Sequence, residues 1–144
     1  MKKIALLIVI VFSLYGYLDN NPNFIQSFAN QSSTDDSALT SAYENRKSDV
    51  QVSGSGVVIR NLADDTSGSR HQKFILKLSS GQTLLISHNI DLAPRINSLR
   101  KGDTVSFYGE YEWNSKGGVV HWTHHDPKGN HVGGWLKHNG ATYQ

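Results

Sequence analysis

The sequence contains no cysteine, so the protein cannot form disulfides, use a thiol nucleophile or hold zinc through thiolates. It also has little excess charge: fourteen Lys plus Arg stand against twelve Asp plus Glu, which gives a formal net charge of +2. A strongly basic surface of the kind that binds nucleic acid non-specifically is therefore not predicted. The 144 residues leave too little chain for a multidomain enzyme or an α/β barrel.

Only one long apolar run occurs, over residues 4–18, and it follows Lys2 and Lys3. A helix of this length extends about 22 Å, which is shorter than the ~30 Å hydrocarbon core but typical of the apolar region of a signal peptide. We interpret residues 1–18 as a signal peptide or N-terminal membrane anchor that engages the export machinery, which predicts an exported protein, periplasmic or secreted. The nearest small-x-small triplet lies at 27–29, so an uncleaved segment that stays in the inner membrane is a second interpretation.

Residues 19–47 are rich in Asn, Ser, Gln and Asp and are interpreted as a polar linker, because such a composition cannot bury enough apolar area to offset its conformational entropy. Within this segment, Asp36 or Ser37 can cap a short helix. Apolar residues between Ala38 and Tyr43 have the spacing of one helical stripe.

Residues 48–144 have the pattern of a small all-β domain, because apolar residues alternate with polar ones. The predicted strands cover 50–59, 73–78, 83–88, 104–113 and 119–123. Gly54 and Gly56 inside the first strand predict a bulge or sharp bend there. The turn sequence Asn139-Gly140 predicts an additional terminal hairpin.

A short helix is predicted between the third and fourth strands, because Asp91 can cap a segment that carries Leu92, Ile96 and Leu99. Three strands, a helix and two further strands are the order of an OB-fold, a five-stranded Greek-key barrel. We therefore predict an OB-fold-like five-stranded barrel that follows the signal or anchor segment and the linker. An immunoglobulin-like sandwich would need about seven strands and no helix at this place.

Polar residues lie at the open end of the predicted hairpin of the second and third strands, where donors can meet an anion or sugar hydroxyls. Aromatic residues near the end of the fourth strand add surfaces on which bases or sugar rings can stack. The alternatives are that the arginine pairs with Asp64, Asp65 or Asp91 and that most of the aromatic residues fill the core. The predicted ligand-binding residues are Arg70, His71, His88, Asn89, Tyr111 and Trp113.

Five of the seven histidines fall in the last 24 residues, which suggests a divalent metal as cofactor. If the last strand ends at Trp122 or Thr123, the turn that follows can bring imidazole and carboxylate groups together. The alternative is that these are loop histidines with ordinary hydrogen bonds. The predicted metal ligands, or acid and base groups, are His121, His124, His125, Asp126 and His131.

Five segments carry a family resemblance: Gly-Ser-Arg-His-Gln-Lys-Phe at 68–74, His-Asn-Ile-Asp-Leu-Ala-Pro-Arg at 88–95, Tyr-Gly-Glu-Tyr-Glu-Trp at 108–113, His-Trp-Thr-His-His-Asp-Pro at 121–127 and Gly-Gly-Trp-Leu at 133–136. Together they resemble a bacterial family of exported proteins known as domain of unknown function 3465, over roughly the last two thirds of the chain. The resemblance implies an exported bacterial protein and supplies no catalytic residue.

A shorter segment, from Ile90 to Pro94, is similar to the Ile-Asp-x-Pro-Glu segment of staphylococcal-type nucleases, which are also OB barrels. The present chain has an extra residue before Pro94, and Arg95 stands where those nucleases carry a glutamate. Their chemistry is therefore not expected here.

Three functional hypotheses follow. The first is an exported binding module for an anionic or sugar-like ligand, such as an oligonucleotide or oligosaccharide. The second is a metal-assisted phosphodiesterase or nuclease-like hydrolase that uses the C-terminal histidines. The third is a structural protein of the cell envelope, although no sequence feature points to a particular protein partner.

Overall fold

The computed structural model describes residues 36–144, which contain one helix and seven strands. The helix, α1, covers residues 36–44. The strands are β1 (Val50–Asn61), β2 (His71–Lys77), β3 (Thr83–Asn89), β4 (Thr104–Glu112), β5 (Val119–His121), β6 (Trp135–His138) and β7 (Ala141–Tyr143). The predicted signal or anchor segment at 1–18 lies outside the described residues, as does the first part of the predicted linker. Within 36–144, no helix combines the length and hydropathy needed to span a membrane.

The first five strands close into a barrel in the order β1, β2, β3, β5, β4 and back to β1. β1 is shared by two neighbours: Val57 pairs with Lys77 of β2 and with Thr104 of β4. β3 and β5 pair in parallel, and the other pairs are antiparallel. This closed five-stranded arrangement confirms the predicted OB-fold-like architecture.

Alternation along β4 explains how the barrel is filled. Val105, Phe107 and Tyr111 are fully buried, whereas Glu110 and Glu112 lie on the outer face. Successive side chains of a strand point to opposite faces, so the two glutamates share one surface. The barrel therefore has an apolar interior, and the outer face of β4 is charged at its C-terminal end.

The bulge or bend that the sequence predicts at Gly54 and Gly56 is not found there, because β1 and β4 pair without a register shift through both glycines. The register shift lies between Val58 and Arg60. Gly54 instead permits close packing, because a Cβ atom there would lie 2.7 Å from Cζ of Phe107. β1 thus combines close packing at Gly54 with a register irregularity farther along the chain.

α1 confirms the predicted short helix and belongs to the folded unit. Leu39 and Ala42 are buried in the barrel core. The Asp36 carboxylate accepts a hydrogen bond from Ser79 at the β2–β3 turn, and Trp113 Nε1 donates to Tyr43 O at 3.0 Å. Among the described residues, α1 and the barrel accordingly belong to one compact unit, which includes this part of the predicted linker.

The predicted helix between the third and fourth strands is absent, and residues 90–103 form turns. One helical turn begins, because Ala93 N donates to the carbonyl four residues earlier at 3.1 Å, but Pro94 cannot donate the next bond. The Gln72 side chain then bonds both backbone groups of Ile96, each at 2.9 Å. A long-range side chain therefore satisfies the backbone groups that a helix would have paired.

β6 and β7 form the predicted terminal hairpin. Asn139 and Gly140 have φ values of 49° and 78°, as a two-residue type I′ turn requires. β6 pairs with the first half of β4, where Phe107 opposes Leu136, while β5 pairs with the second half. The chain between β5 and β6 must therefore cross over the outer surface near β4.

Candidate functional site

Arg70, His71 and Asn89 lie at the open end of the β2–β3 hairpin, as predicted, and His71 pairs with Asn89 in register. Arg70 is held by Asp91, to which its Nε donates at 2.6 Å and its backbone N at 2.8 Å. These bonds, the backbone one first, keep the pKa of the Asp91 carboxyl below its usual value. Arg70 thus forms one of the carboxylate pairs that were predicted as the alternative to ligand binding.

His88 lies at the same end but is fully buried. Its Nε2 donates to Pro94 O at 3.1 Å, and its Nδ1 accepts from the Thr123 hydroxyl at 2.7 Å. Burial lowers the pKa of His88 to about 4, so the ring is neutral near pH 7. Both nitrogens are used inside the protein, and His88 closes the barrel end rather than facing a ligand.

Tyr111 and Trp113 do not join this end. Tyr111 is fully buried in the core, where burial raises its pKa and its hydroxyl donates to Gly117 O at 3.1 Å. Trp113 is half-buried beside α1, with the Arg46 guanidinium 5.4 Å from its ring centre. The six predicted ligand-binding residues therefore do not share one mouth.

Tyr111→Phe should lower the free energy of unfolding by about 1 kcal/mol and leave the surface sites unchanged, because it removes one buried hydrogen bond. The cost stays small because Gly117 O also accepts a bond from Gln82 Nε2 at 2.9 Å. Urea unfolding followed by tryptophan fluorescence measures the change. A Tyr111→Phe protein of unchanged stability that loses ligand binding would place this hydroxyl in a site after all.

The chain leaves β5 in an unusual conformation. Trp122 has a φ of 55°, in the left-handed region that bulky residues rarely adopt. The Trp122 ring stacks on His131 with centres 4.0 Å apart and planes within 8°, and the His124 ring centre lies 5.4 Å away. Residues 121–134 therefore fold back so that three aromatic or imidazole rings pack together.

Two of the predicted metal ligands, His124 and Asp126, form hydrogen bonds to backbone atoms of this loop. The two carboxylate oxygens of Asp126 accept the backbone N–H groups of three residues, including His131 at 2.9 Å, and these bonds, led by that of Lys128, lower its pKa. His124 Nδ1 donates to His125 O at 2.7 Å, and the His125 side chain is exposed. The structure thus does not gather the five predicted ligands around one point, and Asp126 acts by shaping the loop.

His121 and His131 meet instead at Glu110, which the sequence analysis did not select. His121 Nε2 lies 3.7 Å from Glu110 Oε1 and 3.5 Å from Glu112 Oε1, while His131 Nε2 bonds the second oxygen of Glu110. We call Glu110, Glu112, His121 and His131 the outer-face cluster. The available signal was the spacing of two between the glutamates, which places them on one face of a predicted strand.

His131 is oriented from both ring nitrogens. Nδ1 donates to Val132 O at 2.8 Å, and Nε2 bonds Glu110. Burial opposes protonation of His131, but the bonds to Val132 and Glu110 outweigh it and raise the pKa. In its protonated form, which these bonds favour, His131 offsets part of the negative charge of the two glutamates.

A cleft of about 210 Å³ lies beside this cluster, at the ends of β3 and β5. We call it the imidazole cleft, and it is lined by His71, Ser87, Asn89, His121, Trp122 and His124. His71 and Asn89 are the members of the predicted ligand set that it contains, and His121 connects it to the outer-face cluster.

Comparison with known proteins yields one family. The family model described as "Protein of unknown function (DUF3465)" matches residues 23–144, which include α1 as well as the barrel. No curated protein matches the chain.

Proposed function

The chain belongs to the DUF3465 family, whose description assigns no activity, and we propose that it is an exported OB-fold-like module that binds an anionic or sugar-like ligand in the imidazole cleft. The observation that carries this proposal is the convergence of His71, His121 and His124 with Asn89 around one concave surface. Export rests on the sequence of residues 1–18.

Three of the lining groups, His71, His124 and Asn89, suit oxygen-rich ligands because one polar atom of each side chain is fixed by the protein. His71 Nδ1 donates to Ser69 O at 2.7 Å, and His124 Nδ1 donates to a backbone carbonyl in the same way, which directs each Nε2 to other partners. The Asn89 side-chain oxygen accepts Asp91 N at 2.9 Å, so its amide NH₂ remains a donor. Each Nε2 accepts a hydrogen bond from a hydroxyl group when its ring is neutral and donates to a carboxylate or phosphate oxygen when its ring is protonated, whereas the Asn89 NH₂ group donates to all three.

The volume of the cleft limits the size of the ligand that it can enclose. At about 210 Å³ it is smaller than pockets that enclose drug-sized molecules, which measure roughly 300–1,000 Å³. One sugar ring or one phosphate group fits it. An oligosaccharide or oligonucleotide would place a single unit in the cleft and lie along the outer face of β2 and β3.

His71→Ala and Asn89→Ala should each weaken ligand binding about tenfold, since each removes one hydrogen bond to the ligand. Calorimetric titration with short oligosaccharides and oligonucleotides, in EDTA at pH 7.5, tests this. Saturable binding of the oligonucleotide and not of the neutral oligosaccharide identifies an anionic ligand, and the reverse identifies a sugar-like one.

His125→Ala is the matched control, because His125 is an exposed histidine that does not line the cleft. Its affinity for either ligand class should equal that of the unmodified protein. A loss of affinity in His125→Ala equal to that in His71→Ala, or no binding of either ligand class, would refute the assignment.

The second proposed function is that of a metal-assisted phosphodiesterase. The specific observation in its favour is that His121 lines the cleft and also approaches two carboxylates. A metal ion held there would lie where it could contact a phosphate bound in the cleft.

A further inference from the structure

We propose that Glu110, Glu112 and His121 bind one divalent first-row transition metal ion, such as Zn²⁺ or Mn²⁺, and that His131 is a positioning residue for Glu110. This site differs from the metal set predicted from the sequence, which contained neither glutamate. It stands independently of ligand binding in the imidazole cleft, although His121 contributes to both.

Strand geometry assembles the three ligands. Glu110 and His121 are register partners on the antiparallel pair β4–β5, and Glu112 lies two residues farther along β4 on the same face. Directly opposed residues have Cβ atoms about 5 Å apart, and diagonal neighbours lie about 7 Å apart. Two paired strands therefore hold three donor groups rigidly on one surface of the barrel.

The distances between donor atoms match ligands that share one ion. Zn²⁺ bonds to imidazole nitrogen and carboxylate oxygen are about 2.0–2.2 Å, so two ligands at a tetrahedral angle lie about 3.4 Å apart. His121 Nε2 lies 3.5 Å from Glu112 Oε1 and 3.7 Å from Glu110 Oε1. All three donor atoms fall within 4.8 Å of one another.

Without a metal ion, His121 Nε2 and the two glutamate oxygens do not satisfy one another by hydrogen bonds. His121 Nε2 is buried and has no hydrogen-bond partner among residues 36–144. Two other side-chain atoms of the described chain share this condition, and one of them belongs to Gln51, which pairs with Glu110 in register on β1. Unsatisfied buried polar atoms are costly and few in native proteins, and two of the three within residues 36–144 belong to the register partners of Glu110.

His131 supports the site from behind the ligands. Its Nε2 bonds the Glu110 oxygen that does not face His121, and its ring is fixed by Val132 O and by stacking on Trp122. Such outer partners orient the ligand, and their loss typically weakens metal binding 10- to 100-fold. Asp126 contributes indirectly, because it accepts the backbone N–H of His131.

The donor set selects the class of metal. One imidazole with two carboxylates suits Zn²⁺, Mn²⁺ or Fe²⁺, whereas Ca²⁺ and Mg²⁺ prefer all-oxygen sites. Three protein ligands leave a coordination position for water or for an oxygen atom of a ligand. His121 also lines the imidazole cleft, so the proposed metal site and the cleft share one side chain.

Titration of tag-free, EDTA-treated and dialysed protein tests the proposal, with calorimetry for affinity and elemental analysis for stoichiometry. We expect one equivalent of Zn²⁺, weaker binding of Mn²⁺ and no saturable binding of Ca²⁺ or Mg²⁺. Glu112→Gln should weaken Zn²⁺ binding at least tenfold. His121→Ala should abolish the stoichiometric site.

The matched controls are Glu44→Gln, an exposed glutamate on α1, and His125→Ala, an exposed histidine of the loop. Both should keep the affinity of the unmodified protein. His131→Gln should weaken Zn²⁺ binding about tenfold and shift the visible spectrum of the Co²⁺-loaded protein, which a purely structural role would not do.

Unchanged Zn²⁺ affinity in both Glu112→Gln and His121→Ala, or its loss in His125→Ala alone, would overturn the site. Failure of the unmodified protein to bind one equivalent of Zn²⁺ in the titration would also overturn the site. Either failure leaves the cleft proposal standing, because that proposal is tested in EDTA through His71 and Asn89. Conversely, a failed ligand titration leaves the metal measurement valid.

Discussion

Replacing Gly134 with alanine is expected to lower the free energy of unfolding by about 3 kcal/mol, the upper end of typical overpacking costs. A Cβ atom at this position would lie 2.1 Å from Trp122 O and 2.3 Å from Tyr108 O. Both contacts are with backbone atoms, which cannot move away as a flexible side chain can. The substitution should therefore separate β6 from β4 or displace the backbone at Trp122.

Gly133→Ala is the control for this prediction. A Cβ atom at Gly133 would meet Nδ1 of the exposed His125 at 3.2 Å, and that side chain is free to turn. Its stability should change by less than about 1 kcal/mol. Urea unfolding followed by tryptophan fluorescence compares the two variants, and equal stabilities would show that the close packing at Gly134 does not constrain the fold.

The stability of the protein should fall by about 3 kcal/mol as the pH decreases from 6.5 to 4. Burial holds the pKa of His88 at about 4 in the folded protein, against 6.5 for an ordinary histidine, and each pKa unit corresponds to about 1.4 kcal/mol. In this range the unfolded chain takes up a proton at His88 and the folded protein does not. The stabilisation is therefore complete above pH 6.5 and is lost as the pH falls toward 4.

Other titrating groups act mainly outside this range. The carboxyls with lowered pKa, which include Asp91 and Asp126, contribute stability that begins to fall as the pH approaches their ordinary value of 3.8 and is lost mainly below it. His131 has a raised pKa, so its contribution is complete below pH 6.5 and is lost as the pH rises through the folded pKa. The interval from 6.5 to 4 therefore reports chiefly on His88.

His88→Gln tests this assignment, because glutamine can bond within the core and does not titrate. Its stability at pH 7 will be lower, but its decrease between pH 6.5 and 4 should be smaller than that of the unmodified protein by about 3 kcal/mol. Urea unfolding at intervals of half a pH unit measures both slopes. Parallel curves for the two proteins would show that His88 is not the group responsible.

Local sequence patterns were sufficient for much of the fold. Alternation predicted the strands, Asn139-Gly140 predicted the last hairpin, and an apolar stripe predicted α1. The predicted helix after β3 was wrong because Pro94 interrupts its hydrogen bonds and because the Gln72 side chain, 24 residues away in the chain, bonds both backbone groups of Ile96. No local pattern contains that partner.

The sites depended still more on long-range contacts. Sequence reasoning grouped the C-terminal histidines because they are close in the chain, but Asp126 and His124 bond to backbone atoms of their own loop. It did not select Glu110, which meets His121 through strand pairing and His131 through the return of the loop.

The amino-acid sequence by itself determined the all-β class, the positions of the five barrel strands along the chain and the turns between several of them. These features follow from residue spacing over a few positions. The tertiary structure alone decided that Tyr111 is internal and that Glu110, Glu112 and His121 share an outer surface. The physical reason is that alternation separates the two faces of a strand, whereas the choice of inward face and the pairing register are set by neighbouring strands distant in the chain.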